Sequence, residues 1–175
     1  MVNTSALQPI VTAIGFTVWQ LQVLESILVH HITLLHDVPP GVTQAEMDAA
    51  LDGRYSLTFG QLLKIFEQMP EQHRTLDALM VRRLGWVKVE RNWLVHRSQR
   101  DSYATANLAN SASEILSRIT ALHSEATDLL KAVQAATEAV LVARGASMDR
   151  INRDAARIGK AWVRGERHPD ELRSD

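Results

Sequence analysis

The feature that most constrains the fold is an uninterrupted apolar series in the second half of the chain. Between residues 108 and 143, an apolar side chain recurs after alternating steps of four and three residues. This spacing places the whole series along one side of an α-helix. A helix with such a stripe buries it against other long helices, as in a bundle. The series comprises Leu108, Ala112, Ile115, Ile119, Leu122, Ala126, Leu129, Val133, Ala136, Val140 and Ala143.

The remainder of the chain also has the pattern of helices, and no segment alternates between apolar and polar residues as a strand does. A first helix is predicted up to the helix-breaking run Pro39-Pro40-Gly41. Its apolar stripe is interrupted by a carboxylate, Glu25. The apolar members are Ile14, Val18, Leu21, Leu28, Ile32 and Leu35.

Short sequence signals mark where the other helices begin and end. A capping-box spacing, in which Ser or Thr precedes Gln or Glu by three residues, occurs at Ser5, Thr43 and Thr58. Gly145 predicts the end of the long helix, and Ser147 predicts the start of a final one.

A further helix is predicted from Pro70 to about Arg97, and it carries two neighbouring apolar strips. A helix that is apolar over so much of its circumference is typical of a central helix packed on several sides. The first strip contains Leu76, Met80, Leu84, Val87, Leu94 and Val95, and the second contains Leu79, Trp86, Val89 and Trp93.

These helices predict an all-α bundle of four to six helices, with an up-down core of long central helices. The length of 175 residues suits one domain, expected over residues 1–165, followed by a polar, frayed tail over residues 166–175. The absence of cysteine excludes disulfide scaffolds, thiolate metal sites and cysteine nucleophiles. Neither a charged signal-peptide start nor about 18 uninterrupted apolar residues is present, so we expect a cytoplasmic protein with no membrane partner.

Positive charge is concentrated in one segment of a nearly neutral chain. The net charge is −1, which excludes a uniformly basic protein that coats nucleic acid. Residues 71–100, however, hold seven basic and three acidic side chains, a net charge of +4. Such a segment either focuses a field on an anionic ligand or is simply a solvated helix face.

Within this segment, residues 91–96 read Arg-Asn-Trp-Leu-Val-His. Arg91 continues the first apolar strip, where a guanidinium is costly unless an anion or a hydrogen-bonding group meets it. His96 continues the second strip, so the two side chains diverge by about 140° on a regular helix. Arg97 and Arg100 add positive charge beside them.

This six-residue stretch resembles the R-N-x-x-x-H signature of the HEPN superfamily of all-helical domains. The signature in that superfamily lies near the C-terminal end of a central bundle helix, which is also where the apolar pattern ends here. Residues 57–63, Leu-Thr-Phe-Gly-Gln-Leu-Leu, are similar to a Gly-Gln-Leu helix start of some bacterial members. The resemblance covers residues 10–143.

The resemblance implies a metal-independent endoribonuclease of the toxin or phage-defence type, without a cofactor. The two motifs of a homodimer would face one cleft. RNA cleavage there would leave 2′,3′-cyclic phosphate and 5′-hydroxyl ends. Arg91 would hold the scissile phosphate and His96 would move the proton, with Asn92 orienting one of them. The expected partners are RNA, a second copy of the chain and a protein antitoxin or inhibitor. Ser98 stands where many members carry a modifiable tyrosine, which argues against control by a modifying partner.

The sequence is also compatible with other functions. The domain could be a non-catalytic HEPN-like module for dimerisation or partner binding, in which Arg91 pairs with Glu90 or Glu25. In an enzyme, these two carboxylates would support the site by offsetting repulsion between two positive segments. The helices over residues 44–53 and 58–68 also suggest a helix-turn-helix, although with few basic residues. His30, His31 and His36 are expected as cations at a helix C-terminus rather than as metal ligands.

Overall fold

In a computed structural model of the chain, the long apolar series from Ala112 to Ala143 lies on the last of the six α-helices assigned among the described residues. The structure describes residues 4–39, 41–71, 74–105, 109–149, 151–153 and 156. No strand occurs among these residues, and the predicted all-α class is confirmed. The helices are α1 Thr4–Ile32, α2 Gln44–Tyr55, α3 Phe59–Gln68, α4 Ala78–His96, α5 Ser98–Thr105 and α6 Ala109–Ala143, with a π-helical turn, Thr33–Asp37, after α1.

The chain divides into two compact units, Met1–Thr137 and Glu138–Asp175. All predicted site residues lie in the first unit. In the second unit, Gly145 has a φ of 85° and ends α6, as predicted. A helical turn follows Ser147, also as predicted, while residues 157–175, including the predicted tail, lie outside the described part. The single domain over residues 1–165 stays a prediction.

The core of the first unit is built from the apolar stripes of α1, α3, α4 and α6. The α6 series is buried from Ile115 to Val133, as the sequence predicted, whereas Leu108 lies outside the described residues. The other large contributors are Leu21, Leu24, Leu28 and Ile32 of α1, Phe59, Leu62 and Phe66 of α3, and Leu84, Val87 and Leu94 of α4.

Two of the three predicted capping boxes are present. Thr43 accepts the backbone N–H of Glu46, whose carboxylate accepts the N–H of Thr43 at 2.8 Å. Thr58 and Gln61 make the same reciprocal pair. Ser5 lies inside α1 rather than before it, so the helix start predicted there is wrong.

Helix α4 begins later than its predicted start at Pro70. Asp77 caps it by accepting the backbone N–H of Met80 at 2.7 Å. The preceding Arg74 donates instead to two carbonyls at the C-terminal end of α3, at 2.8 and 2.6 Å. Arg74 therefore caps the C-terminal end of α3, and α4 begins only after Asp77.

Four apolar side chains of α4 are exposed, although the sequence predicted packing on several sides. Helix α4 packs on α1, α3 and α5 and is joined to α6 by side-chain ion pairs, and Trp93 alone of the second strip is buried. No helix in the described part of this single chain covers the rest of that strip. The exposed side chains are Leu79, Trp86, Val89 and Val95.

Helix α1 also has an exposed apolar face, formed by Val11, Phe16 and Trp19. Within the described residues, Leu7–Asp37 is the one segment long and apolar enough to cross a membrane, with a mean hydropathy of 1.4. Polar residues interrupt the segment, so the criterion of about 18 uninterrupted apolar residues does not detect it. Because core helices of soluble proteins have the same length and composition, this segment is weak evidence for a membrane.

His31 joins α1 to two other parts of the fold. Its imidazole is fully buried, with Nδ1 2.9 Å from the Thr137 hydroxyl and Nε2 2.7 Å from the Thr75 hydroxyl. The Thr137 hydroxyl donates to the Val133 carbonyl, so it accepts from Nδ1–H, and Nε2 is left to accept from Thr75. Burial lowers the pKa of His31 from 6.5 to about 4, contrary to the cation expected from the sequence.

We predict that this neutral histidine makes the fold sensitive to acid. The unfolded chain binds a proton at His31 below pH 6.5, whereas the folded chain binds it only near pH 4. The free energy of unfolding is therefore fully retained above pH 6.5 and falls by about 3 kcal/mol as the pH drops from 6.5 to 4. Urea unfolding at several pH values measures this slope. His31→Gln should flatten it, and His96→Gln, which changes an exposed imidazole on α4, should not; equal slopes in both variants would contradict the prediction.

Candidate functional site

An open groove runs along the C-terminal half of α4, between that helix, α5 and α6. It has a volume of about 660 Å³, and four of the predicted site residues line it: Asn92, His96, Arg97 and Arg100. The remaining lining residues are Val89, Trp93, Asp101 and Arg118.

The indole of Trp93 is held in a fixed orientation in this groove. Only 8% of the residue is exposed. Its Nε1–H donates to the Asp101 carboxylate at 2.9 Å, and the Arg118 guanidinium lies 3.7 Å from the ring centroid. Trp93 is therefore buried within a single chain, because Arg118 covers the ring by a cation–π contact.

Arg118 also forms a two-point ion pair with Glu90. Nε and Nη2 of Arg118 lie 2.6 and 3.0 Å from the two carboxylate oxygens. The hydrogen bonds to Glu90 raise the pKa of Arg118. Glu90 is only 8% exposed, so the pairing compensates a carboxylate that burial would otherwise destabilise.

Arg91 does not share this groove. Its guanidinium points to another side of α4, where Nη2 lies 3.4 Å from the Glu25 carboxylate of α1. Helix α4 remains helical through His96, which accounts for the divergence of the two side chains. Within one chain, the structure brings His96 together with Asn92 but not with Arg91 or Glu25.

The groove carries a net positive charge. Three arginines and one aspartate line it, a net charge of +2 with His96 neutral. His96, Arg97 and Arg100 are exposed, and the pair between Arg100 and Asp101 is long, at 3.6 Å. Guanidinium groups of this kind bind phosphate by paired N–H donors, and an exposed imidazole beside them can accept or donate a proton.

Sequence reasoning missed Arg118. The residue lies 28 positions after Glu90 and on a different helix, so no local spacing connects the two. An indirect signal was available: the buried position of Glu90 on a central helix demands a cation from some other element. The position of Glu90 indicates that a cationic partner is needed, but it does not identify which residue provides it.

The cluster at the end of α1 has a structural role in this fold. Asp37 accepts two hydrogen bonds from Arg54, at 2.7 and 2.6 Å, and contacts His36 at 2.9 Å. Burial raises the pKa of Asp37, but the hydrogen bonds from Arg54 and His36 outweigh burial and the pKa is lowered. Because Arg54 is engaged, Lys64 is the one basic side chain that α2 and α3 can offer to DNA, which weakens the helix-turn-helix interpretation. Within the described ranges, no group of three potential ligands is placed to hold a metal ion.

Comparison with known proteins adds no further information about this site. No family model, no curated protein and no solved structure matches the chain. The resemblance of residues 91–96 to the HEPN signature stays an expectation from the sequence.

Proposed function

We propose that the protein is a metal-independent endoribonuclease of the HEPN type, with its active centre in the groove beside His96. The observation that carries this proposal is the exposed imidazole of His96 in an open groove lined by three arginines. An RNA phosphodiester supplies the anionic charge that such a groove binds. Its 2′-hydroxyl supplies the nucleophile, so the protein needs only to bind charge and move protons.

In the proposed reaction, the 2′-oxygen attacks the adjacent phosphorus and the bond from phosphorus to the 5′-oxygen breaks. One imidazole takes the 2′-hydroxyl proton, and a second protonates the leaving 5′-oxygen. The products are a 2′,3′-cyclic phosphate and a 5′-hydroxyl. Arg97 and Arg100 bind the substrate phosphates, while Asn92 orients the reacting groups.

A homodimer supplies what one chain lacks. One chain offers a single His96 to a reaction that moves two protons, and its Arg91 lies on another side of α4. A two-fold axis beside α4 would place two copies of the motif in one cleft. The exposed strip of Leu79, Trp86 and Val89 supports this position for the axis, because apolar surface of this kind drives association.

A non-catalytic module for dimerisation or partner binding is the second candidate function. The contact between Arg91 and Glu25 favours it, because a half-buried arginine paired within its own chain can serve the fold alone. In that case, loss of Arg91 lowers stability and has no chemical consequence. RNA cleavage by the purified protein separates the two candidates.

We expect His96→Ala to lower RNA cleavage by about 10²–10⁴-fold without altering thermal unfolding, since removing a general acid or base has this effect. Arg91→Ala should also abolish cleavage if Arg91 reaches the phosphate. The measurements are cleavage of a labelled oligoribonucleotide and circular dichroism on heating. His36→Ala, which removes an exposed imidazole remote from the motif in sequence, is the matched control. A wild-type protein that never cleaves RNA, together with an unstable Arg91→Ala variant, would support the non-catalytic module.

Cleavage should persist in excess EDTA. In the proposed reaction, arginine side chains bind the phosphate charge and histidine moves the protons, so a divalent ion has no role to fill. The test compares initial rates with and without chelator at constant ionic strength. A loss of activity that Mg²⁺ or Mn²⁺ restores would contradict the metal-independent mechanism.

The dimer should depend on Trp86. We expect Trp86→Asp to dissociate the dimer and abolish cleavage, whereas Trp19→Asp, at a more exposed tryptophan on α1, should do neither. Sedimentation velocity at low and high salt measures the assembly. Because apolar burial drives association, the wild-type dimer should persist at high salt, while its affinity for RNA falls. Dissociation by Trp19→Asp alone would place the interface on α1 and separate the two motifs.

A further inference from the structure

We infer that Arg118 of α6 is the preorganised phosphate-binding residue of the groove, and that Glu90, one of the two groups that hold it, competes with the phosphate for the same cation. The inference rests on the proposed function, and it assigns a binding role to a residue outside the sequence motif. Both residues belong to the Met1–Thr137 unit.

The geometry of Arg118 leaves part of its guanidinium for a ligand. A guanidinium has five N–H donors, and two of those on Arg118 are used by Glu90. Its Cζ atom lies over the Trp93 ring, 3.7 Å from the ring centroid, so the indole also restricts the movement of the group. Its side chain nevertheless keeps 44% of its exposure and lines the groove that contains His96.

Of the three arginines in the groove, Arg118 is the one whose orientation is fixed. Arg100 retains 77% side-chain exposure and has one long contact, to Asp101 at 3.6 Å. Arg97 is exposed at the end of α4. A mobile side chain loses conformational entropy when it binds a ligand, whereas Arg118 has already lost it on folding. Phosphate recognition therefore depends more on Arg118 than on the two exposed arginines.

Glu90 has two opposing effects on this function. Its buried carboxylate fixes the guanidinium by two hydrogen bonds, which favours binding through preorganisation. Its negative charge also competes with a phosphate for the same cation. Because Trp93 continues to hold the guanidinium plane, neutralising Glu90 removes the competition and leaves most of the orientation.

Substitutions of the two partners of this ion pair are therefore expected to change anion binding in opposite directions. Arg118→Gln removes the cation and should weaken binding about tenfold, the usual effect of losing a charge-assisted hydrogen bond. Glu90→Gln removes the competing charge and should strengthen binding about two- to threefold. A purely structural ion pair predicts a different result, because both variants lose the same contact and shift affinity in the same direction or not at all.

The experiment uses the full chain with His96→Ala, so that RNA is bound without being cleaved. The probe is a fluorescently labelled oligouridylate of twelve nucleotides, measured by anisotropy from 50 to 300 mM NaCl, with inorganic phosphate as a competitor. Arg118→Gln should also reduce the slope of log affinity against log salt by about 0.7, the value for one phosphate contact on a single strand. A structural defect alone leaves that slope unchanged.

The chain offers a matched control in Arg83→Gln. Arg83 pairs with Glu125 at 2.6 and 3.0 Å, between the same two helices and with the same two-point geometry, but outside the groove. This variant also loses a two-point ion pair between α4 and α6, at a smaller cost in stability because Glu125 is less buried than Glu90, and it should leave oligouridylate affinity unchanged.

The possible outcomes separate this inference from the proposed function. Opposite shifts in Arg118→Gln and Glu90→Gln support the inference even if the protein with His96 intact does not cleave RNA, and the groove is then a binding site without nuclease chemistry. The inference is overturned if Arg118→Gln binds as Arg83→Gln does, if Glu90→Gln weakens binding, or if none of these proteins binds oligouridylate or phosphate.

Discussion

Glu90 is a carboxylate on an inward face of α4, and its environment determines the form of the groove. A buried carboxylate without a partner costs several kcal/mol, so a cation has to be brought to it from another helix. Arg118 meets that need, and in doing so its guanidinium covers the indole of Trp93. The indole is in turn fixed by Asp101 of α5. One buried charge thus links α4, α5 and α6 and brings arginine side chains to the side of the helix that carries His96.

The sequence predicts much of this fold because its helices depend on local signals. The alternation of four and three residues located the buried stripe of α6, and reciprocal capping at Thr43 and Thr58 located the starts of α2 and α3. The start of α4 was predicted too early, since Pro70 is compatible with a first helical turn and the competing cap at Asp77 was not recognised. The spacing of apolar residues also does not distinguish a buried strip from an exposed one, because burial depends on which other helices pack against it. Trp86 and Val95 lie on apolar strips of α4 and are nevertheless exposed.

The candidate site was predictable in part. The motif located Asn92 and His96, and proximity along the chain added Arg97 and Arg100, all of which line the groove. Arg118 was missed because its role comes from a contact between helices. Arg91 was placed with His96 by analogy to a motif, whereas helical geometry separates them and gives Arg91 a partner in Glu25. Under the proposed nuclease function, an Arg91 side chain would reach the groove of His96 only from a second copy of the chain.

The π-helical turn that follows α1 changes the angular phase of the chain. In this turn the N–H of Val38 bonds to the carbonyl of Thr33, five residues back, which accommodates one residue more than an α-helical turn does. An extra residue delays the following side chains by about 100° relative to a continuous α-helix. The four-three repeat of α1 ends within this turn, where Leu34 is buried and Leu35 is half-buried. Asp37 is the last residue of this turn and pairs with Arg54 of α2, so the attachment of α2 depends on the number of residues in one turn as well as on the ion pair.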